Sequence, residues 1–297
     1  MRFSLDEGER LRRPPGIWQA WPALCVVMLL VALAASLVTS LVGLELEGPL
    51  RTIANGALVL LPLGLWWVLY YRPVRQRGRV PPRIVALILL AGVLANGVAV
   101  PVVNELYAVD TWLFDQSGLT RIIGYMLIVG FLQEYLKFAI IRYTVYPGGL
   151  VERGDGLAYG IAVSLGFAVV LSLHFFIDGG PAAFGPAAAR VAGITLSQVT
   201  FGAILGYFFT SARFSRREPP VWWFVAGLTV AAFFNGLYVA LRAGLVVGGF
   251  GIGSTANVPL LPLLMAGALA LGSYAVISFL NRQAEIRDAA SPGRSVY

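Results

Sequence analysis

The sequence predicts an all-α, polytopic transmembrane helical bundle of about eight helices, and three observations carry that expectation. Hydrophobic residues make up 58% of the 297 residues and charged residues only 12%, against about a quarter charged in soluble domains. Apolar stretches long enough to cross a bilayer as a helix, roughly eighteen residues or more, recur along the whole chain. The arginines gather in alternate connections, the pattern of a chain that crosses a membrane back and forth.

The first span is expected over Trp21 to Leu44, behind Arg10, Arg12 and Arg13. It is too long for a signal-peptide core and has no clear small-residue cleavage site, so it reads as a retained helix. Cys25 inside it is the only cysteine, which leaves no intrachain disulfide. Spans follow over Ile53 to Tyr71 and Arg83 to Val103. The connection Asn104 to Thr120 sets Leu106, Trp112, Leu113 and Phe114 among Glu105, Asp110 and Asp115, and reads as a short helix lying in the outer interface. The remaining spans are expected over Arg121 to Val145, Gly156 to Phe176, Ala187 to Thr210, Trp222 to Val246 and Val258 to Leu280. Gly248, Gly249, Gly251 and Gly253 read as a flexible outer loop, and the run from Ala289 as a frayed tail. No fixed-period repeat divides the chain, so residues 1–297 form a single integral membrane domain with an N-terminal segment at 1–20 and a tail at 281–297.

Seventeen arginines fall on one side of these spans, including Arg72, Arg75, Arg83, Arg142, Arg153, Arg213, Arg282 and Arg287. Four fall on the other: Arg51, Arg121, Arg190 and Arg242. Positive-inside reasoning then places both termini in the cytoplasm, which requires an even number of spans. The net charge of +7 is spent on orientation beside apolar spans, so the expected partners are the lipid bilayer and transmembrane segments of other proteins, not nucleic acid.

Ionisable groups at membrane depth cost a few kcal/mol or more, so each one is a candidate functional residue. Glu134 is the only acid deep within a span, Lys137 the only lysine and His174 the only histidine. Glu134 and Lys137 are three residues apart, which puts them on one helix face within ion-pair reach. Gln133, Gln198 and Asn235 fall near the centres of the fourth, sixth and seventh spans, so polar groups from three helices share one depth. Such groups also serve as plain interhelical hydrogen-bond partners. One histidine and one distant cysteine cannot assemble the usual three or four nitrogen and sulfur ligands, so no metal and no cofactor is expected. Ser172 and His174 point to different helix faces and no G-x-S-x-G elbow exists, which argues against a serine triad.

Gln133-Glu134-Tyr135-Leu136-Lys137, then Asp155-Gly156-Leu157-Ala158-Tyr159-Gly160 running on to Gly166-Phe167-Ala168, then Gly202-Ala203-Ile204-Leu205-Gly206-Tyr207 and Asn235-Gly236-Leu237-Tyr238 are similar to the motifs of one family. Over about Arg121 to Leu241, within a core at 121–245, the chain resembles the PrsW family of bacterial intramembrane proteases, distant relatives of the CAAX-processing and bacteriocin-processing membrane proteases. The resemblance implies a bacterial inner-membrane protein with a peptidase fold. It also shows departures at the positions where chemistry is expected. Gln133 stands for the first motif glutamate, Leu171 for the glutamate after Phe167, Gln198 for the histidine that opens the next motif, and Asn235 for the last histidine. An amide keeps the size and hydrogen bonding of these groups but cannot take a proton in general acid–base work. The expectation is therefore a catalytically degenerate homologue that engages transmembrane segments or partner membrane proteins. An active peptidase using Glu134, with Lys137, Gln198 and Asn235 as polar stabilisers, is the second reading, and His174 is a possible accessory base. A structural subunit of a membrane complex or an ion-coupled transporter is the third, although the broken, symmetric helices common in transporters are missing from the sequence.

Overall fold

The structure, a computed structural model, describes residues 16–43, 46–76, 83–113, 115–178, 182–215, 219–247 and 260–289. Among them are eight helices long and apolar enough to cross a membrane. In chain order these are α1 (Ile17–Val42), α2 (Gly48–Arg75), α3 (Ile84–Leu106), α5 (Gly118–Thr144), α6 (Asp155–Asp178), α7 (Phe184–Arg213), α8 (Val221–Val247) and α9 (Leu260–Ala289), with a single turn α4 (Val109–Trp112) between α3 and α5. The protein is a multi-pass, all-helical membrane protein. Its helices run up to a turn or two past the apolar stretches, because residues such as Arg75, Arg142 and Arg213 are good helix formers that need only reach the headgroup layer. The N-terminal arginines up to Arg13, Arg77, Arg79, Arg216, Arg217, Arg294, the glycine loop from Gly248 and the tail beyond Ala289 lie outside the described residues.

Helix α7 is the axis of the bundle. Of its most apolar stretch 89% is buried by protein, against 22–56% for the other seven, the signature of a helix that is apolar all round. It packs on α6, α9, α1, α8 and α2. What lets α6 approach it so closely is a pair of small-residue ladders, Gly156/Gly160 on α6 and Gly202/Gly206 on α7. A Cβ at Gly160 would sit 2.0 Å from the Gly202 carbonyl oxygen, and one at Gly206 would sit 2.2 Å from the Gly156 carbonyl oxygen. With no hydrophobic drive between helices in lipid, close backbone packing of this kind is what holds them.

A second close crossing joins α5 to α8. A Cβ on Gly130 would meet the Ala232 carbonyl oxygen at 2.3 Å, and one on Gly236 would meet the Met126 Cα at 2.2 Å. At this crossing, α5 widens into a π-helical turn over Tyr125–Gly130 and then resumes as an α-helix from Phe131. Further π-helical turns occur in α1, α2 and α3, whereas α6 to α9 are regular throughout.

The connection between α3 and α5 does contain a helix, but only one turn of it. Val109 and Leu113 are fully buried and pack with Tyr125, Val129 and Ala240 over the start of α5 and the later part of α8. Leu106 and Trp112 stay exposed; Phe114 is outside the described residues. Leu113 packs against the bare backbone at Gly124.

Candidate functional site

The polar residues that share one depth in the sequence converge in space. Lys137 and Glu134 lie one above the other on α5, and the Lys137 Nζ donates to Glu134 Oε1 at 2.6 Å. The same ammonium donates to Gln198 Oε1 of α7 at 2.5 Å. Gln198 Nε2 donates to Gln133 Oε1 at 3.2 Å. Asn235 Nδ2 of α8 donates to both Gln133 Oε1, at 3.1 Å, and Glu134 Oε1, at 2.8 Å. Three helices are thus joined by four hydrogen bonds, and a fifth closes the network within α5.

The direction of this network follows from the lysine. An ammonium has donors only, so the Gln198 atom facing it must be the carbonyl oxygen. Its amide nitrogen is then left to donate onward to Gln133, whose oxygen also takes the amide of Asn235. Every amide is oriented by its neighbour. Two aromatic faces complete the ammonium's surroundings: Phe167 of α6 at 5.2 Å and Phe201 of α7 at 5.9 Å from Nζ to ring centroid, within reach of a cation–π attraction. Phe201 was not singled out in the sequence, although its place three residues after Gln198, on the same helix face, is a usable signal.

The cluster is closed at both ends. Glu134, Lys137 and Asn235 are 0% exposed, and Gln133 and Gln198 at most 5%. Toward the arginine-rich membrane face, Phe138, Tyr146, Phe209 and Phe224 stack against one another at centroid distances of 5.2–6.4 Å, with the Arg142 guanidinium over Tyr146 and Phe224. Toward the opposite face lies the Val109/Leu113 cap. Two surface cavities, of about 890 and 770 Å³, open on the arginine-rich face, and neither is lined by a residue of the cluster. Inside the cluster, Glu134 Oε2 and Asn235 Oδ1 are buried without a hydrogen-bond partner.

Two of the residues singled out in the sequence stay outside the network. Leu171 is half-buried and contributes no polar atom. His174 pairs instead with α3, its Nε2 lying 3.0 Å from Asn96 Oδ1, and its Nδ1 lies 3.7 Å from Asp178 Oδ2 at the end of its own helix.

The helices that carry this cluster fall within a segment matched by comparison with known proteins. A family model described as PrsW family intramembrane metalloprotease matches residues 80–272, well over half of the chain. The chain belongs to the PrsW family. The match takes in α3 as well as the helices that carry the motifs. Among curated PrsW proteins, Protease PrsW of Bacillus subtilis (strain 168) is 37% identical over 111 residues, which are 37% of this chain and 49% of that protein. Protease PrsW of Shouchella clausii (strain KSM-K16) is 35% identical over 89 residues, 30% of this chain and 40% of that protein. The chain spans about half the length of the curated relatives it matches. No solved structure matches.

The PrsW family description implies a metal ion, and the donor set at the cluster does not fit one. Its oxygens belong to one carboxylate and three amides, where hydrolytic zinc sites use histidine nitrogens and carboxylates. The carboxylate already holds an ammonium at 2.6 Å, which would repel a second cation at the same oxygen. Among the described residues no group of three or more His, Cys, Asp or Glu side chains is assembled.

Proposed function

We propose that this chain is a PrsW-family membrane protein whose protease site is held in a non-catalytic form, and that it engages transmembrane segments of client or partner membrane proteins without cleaving them. The observation that supports this is the Lys137 ammonium, clamped between Glu134 Oε1 and Gln198 Oε1. A general base must have an oxygen or nitrogen free to take a proton from water. Here the one acid at membrane depth is ion-paired and the surrounding positions are amides, which hold the same shape without basicity. The orientation with both termini in the cytoplasm of a bacterial inner membrane belongs to the same proposal and rests on the arginine asymmetry.

One observation favours a second reading, an active peptidase. Glu134 Oε2 is buried and bonded to nothing in the protein, so this oxygen is available as an acceptor if the cluster opens to water. The two readings separate on one experiment. The purified protein is given a single-span membrane substrate, and cleavage is compared with that of Glu134→Gln. The proposal expects no cleavage by either; cleavage by the parent protein that Glu134→Gln abolishes overturns it and establishes the second reading. Restoring the motif with Gln133→Glu, Leu171→Glu, Gln198→His and Asn235→His together is expected to produce cleavage that the parent protein lacks.

A further inference from the structure

Asn96 belongs to none of the polar groups that meet at Lys137, yet it lies at the middle of a span, twelve residues past Ile84 and ten before Leu106 on α3. Asn96 and the adjacent Gly97 are exposed on the outside of the bundle, in line with the exposed Leu89 and Val93 of the two preceding turns. One close crossing sets how α3 sits there. A Cβ on Gly166 of α6 would meet the Ile88 carbonyl oxygen at 2.3 Å and the Gly92 nitrogen at 3.1 Å, so the two backbones touch just before Asn96. Helix α3 then widens into a π-helical turn over Ala95–Ala99, a device frequent at functional positions, and its last turn, Val102–Leu106, packs on α4. From the widened turn, Asn96 Oδ1 accepts from His174 Nε2 at 3.0 Å. No partner for Asn96 Nδ2 is found among the described residues.

A side-chain amide carries two N–H donors and a carbonyl oxygen with two lone pairs, and the bond to His174 uses one lone pair. At the centre of a bilayer neither water nor a headgroup is at hand to take the rest, and acyl chains offer neither donors nor acceptors. Only another protein helix can supply them, and asparagine is one of the side chains that join membrane helices by hydrogen bonds. Gly97 provides the second requirement of such a contact, a place where backbones can come close: a Cβ there would meet nothing within 4 Å, so the space beside Asn96 is open. The occupant follows from the amide itself. With a donor and an acceptor both available, Asn96 is complementary to a second Asn96, which is what a two-fold contact between identical surfaces requires.

We propose that two copies of this chain pair in the membrane through this stripe of α3, with the two Asn96 amides bonded to each other across a two-fold axis, Gly97 admitting the partner helix and Val93 beside the axis. Leu173 and Ile177, exposed on α6 on either side of His174 in the sequence, supply apolar surface next to the contact. The proposal is independent of whether the protein cleaves a substrate.

The test uses the full chain reconstituted in phosphatidylcholine vesicles. Under mild oxidation Val93→Cys is expected to give a disulfide-linked dimer, because residues beside a two-fold axis approach their own copies within disulfide reach. Leu271→Cys, similarly exposed but on α9, is expected to give none; the native Cys25 is buried. In energy transfer between donor- and acceptor-labelled copies, Asn96→Leu is expected to raise the dimer dissociation constant about tenfold, the effect of losing one or two hydrogen bonds between membrane helices. Gly97→Leu, whose side chain enters open space in the single chain, is expected to weaken pairing as well. His174→Phe removes the bond within the chain but keeps the Asn96 amide, and is expected to leave the dimer. Energy transfer by the parent protein no greater than random encounter, at every ratio of protein to lipid, overturns the proposal without any variant having to fold, and leaves the stripe to a helix of another protein. So does a dimer that Asn96→Leu and Gly97→Leu both leave unchanged, or cross-linking through Leu271→Cys in place of Val93→Cys.

Discussion

Lys137 is placed so that its charge is spent inside the protein. Its ammonium reaches Glu134 and Gln198 and is covered by two aromatic rings, and neither member of the ion pair is exposed. Removing one partner from a buried pair leaves the other charge uncompensated, at a cost of about 3–5 kcal/mol, whereas replacing both with neutral groups of similar size is nearly neutral. Lys137→Met is therefore expected to lower stability by that amount. Lys137→Met with Glu134→Gln should recover most of it, as read by thermal or denaturant melting in detergent; equal damage from the single and double variants would refute a mutually neutralising pair. Much of this pair was legible in the sequence, because a spacing of three fixes the face of a helix. The convergence of Gln133, Gln198 and Asn235 followed from their shared depth. What the sequence could not supply was which amide atom faces the lysine, since that depends on the donor count of a neighbour on another helix. Nor could it show that Leu171 and His174 stand apart from the knot, because their helix α6 is set against α7 and α3 by glycine contacts whose rotation no motif encodes.

At the scale of the element, the fold depends on backbones that touch. Gly130 and Gly236 allow α5 and α8 to cross where Glu134 and Asn235 must meet. Because the atoms in the way are backbone atoms, Gly130→Ala must push the two helices apart, and a cost of about 1–3 kcal/mol is expected for such overpacking. Gly64→Ala on α2 is the matched control, since a Cβ there would meet nothing within 4 Å. It should be neutral or stabilising by up to about 1 kcal/mol from helix propensity. Melting curves of the two variants, with Asn235 cross-linking or spectroscopy to follow the crossing, would separate packing from propensity. Equal effects would remove the argument for close contact. The π-helical turns were invisible in the sequence, because Tyr125–Gly130 has the same apolar composition as an ordinary α-helical turn. The glycines themselves were visible, but only as motif letters.

For the whole molecule, the proposed orientation rests on eight spans and the arginine asymmetry. A fluorescent protein fused after α9 should fluoresce in the cytoplasm of a bacterial host, and alkaline phosphatase fused within the α3–α5 connection should be active outside it. The reverse pattern would overturn the orientation while leaving the bundle intact. The number of spans was legible because composition and length alone decide what crosses a bilayer. The central place of α7 was not, since its mean hydropathy of 1.4 is among the lowest of the eight. Burial by protein, rather than by lipid, lets a helix carry Gln198, Thr195 and Ser197 and still lie at the centre.

The amide knot also has a consequence in the genetic code. A glutamine codon becomes a histidine or glutamate codon by a single nucleotide change, and an asparagine codon becomes a histidine codon by a single change as well. Only the leucine-to-glutamate change at Leu171 needs two or more. A neutral imidazole at position 198 would offer one acceptor and one donor, as Gln198 now does toward Lys137 and Gln133. On the proposed reading, the mutational path from this site to one with the full motif is therefore short and passes through hydrogen-bonded intermediates, so a library of point mutants under selection for cleavage samples it directly.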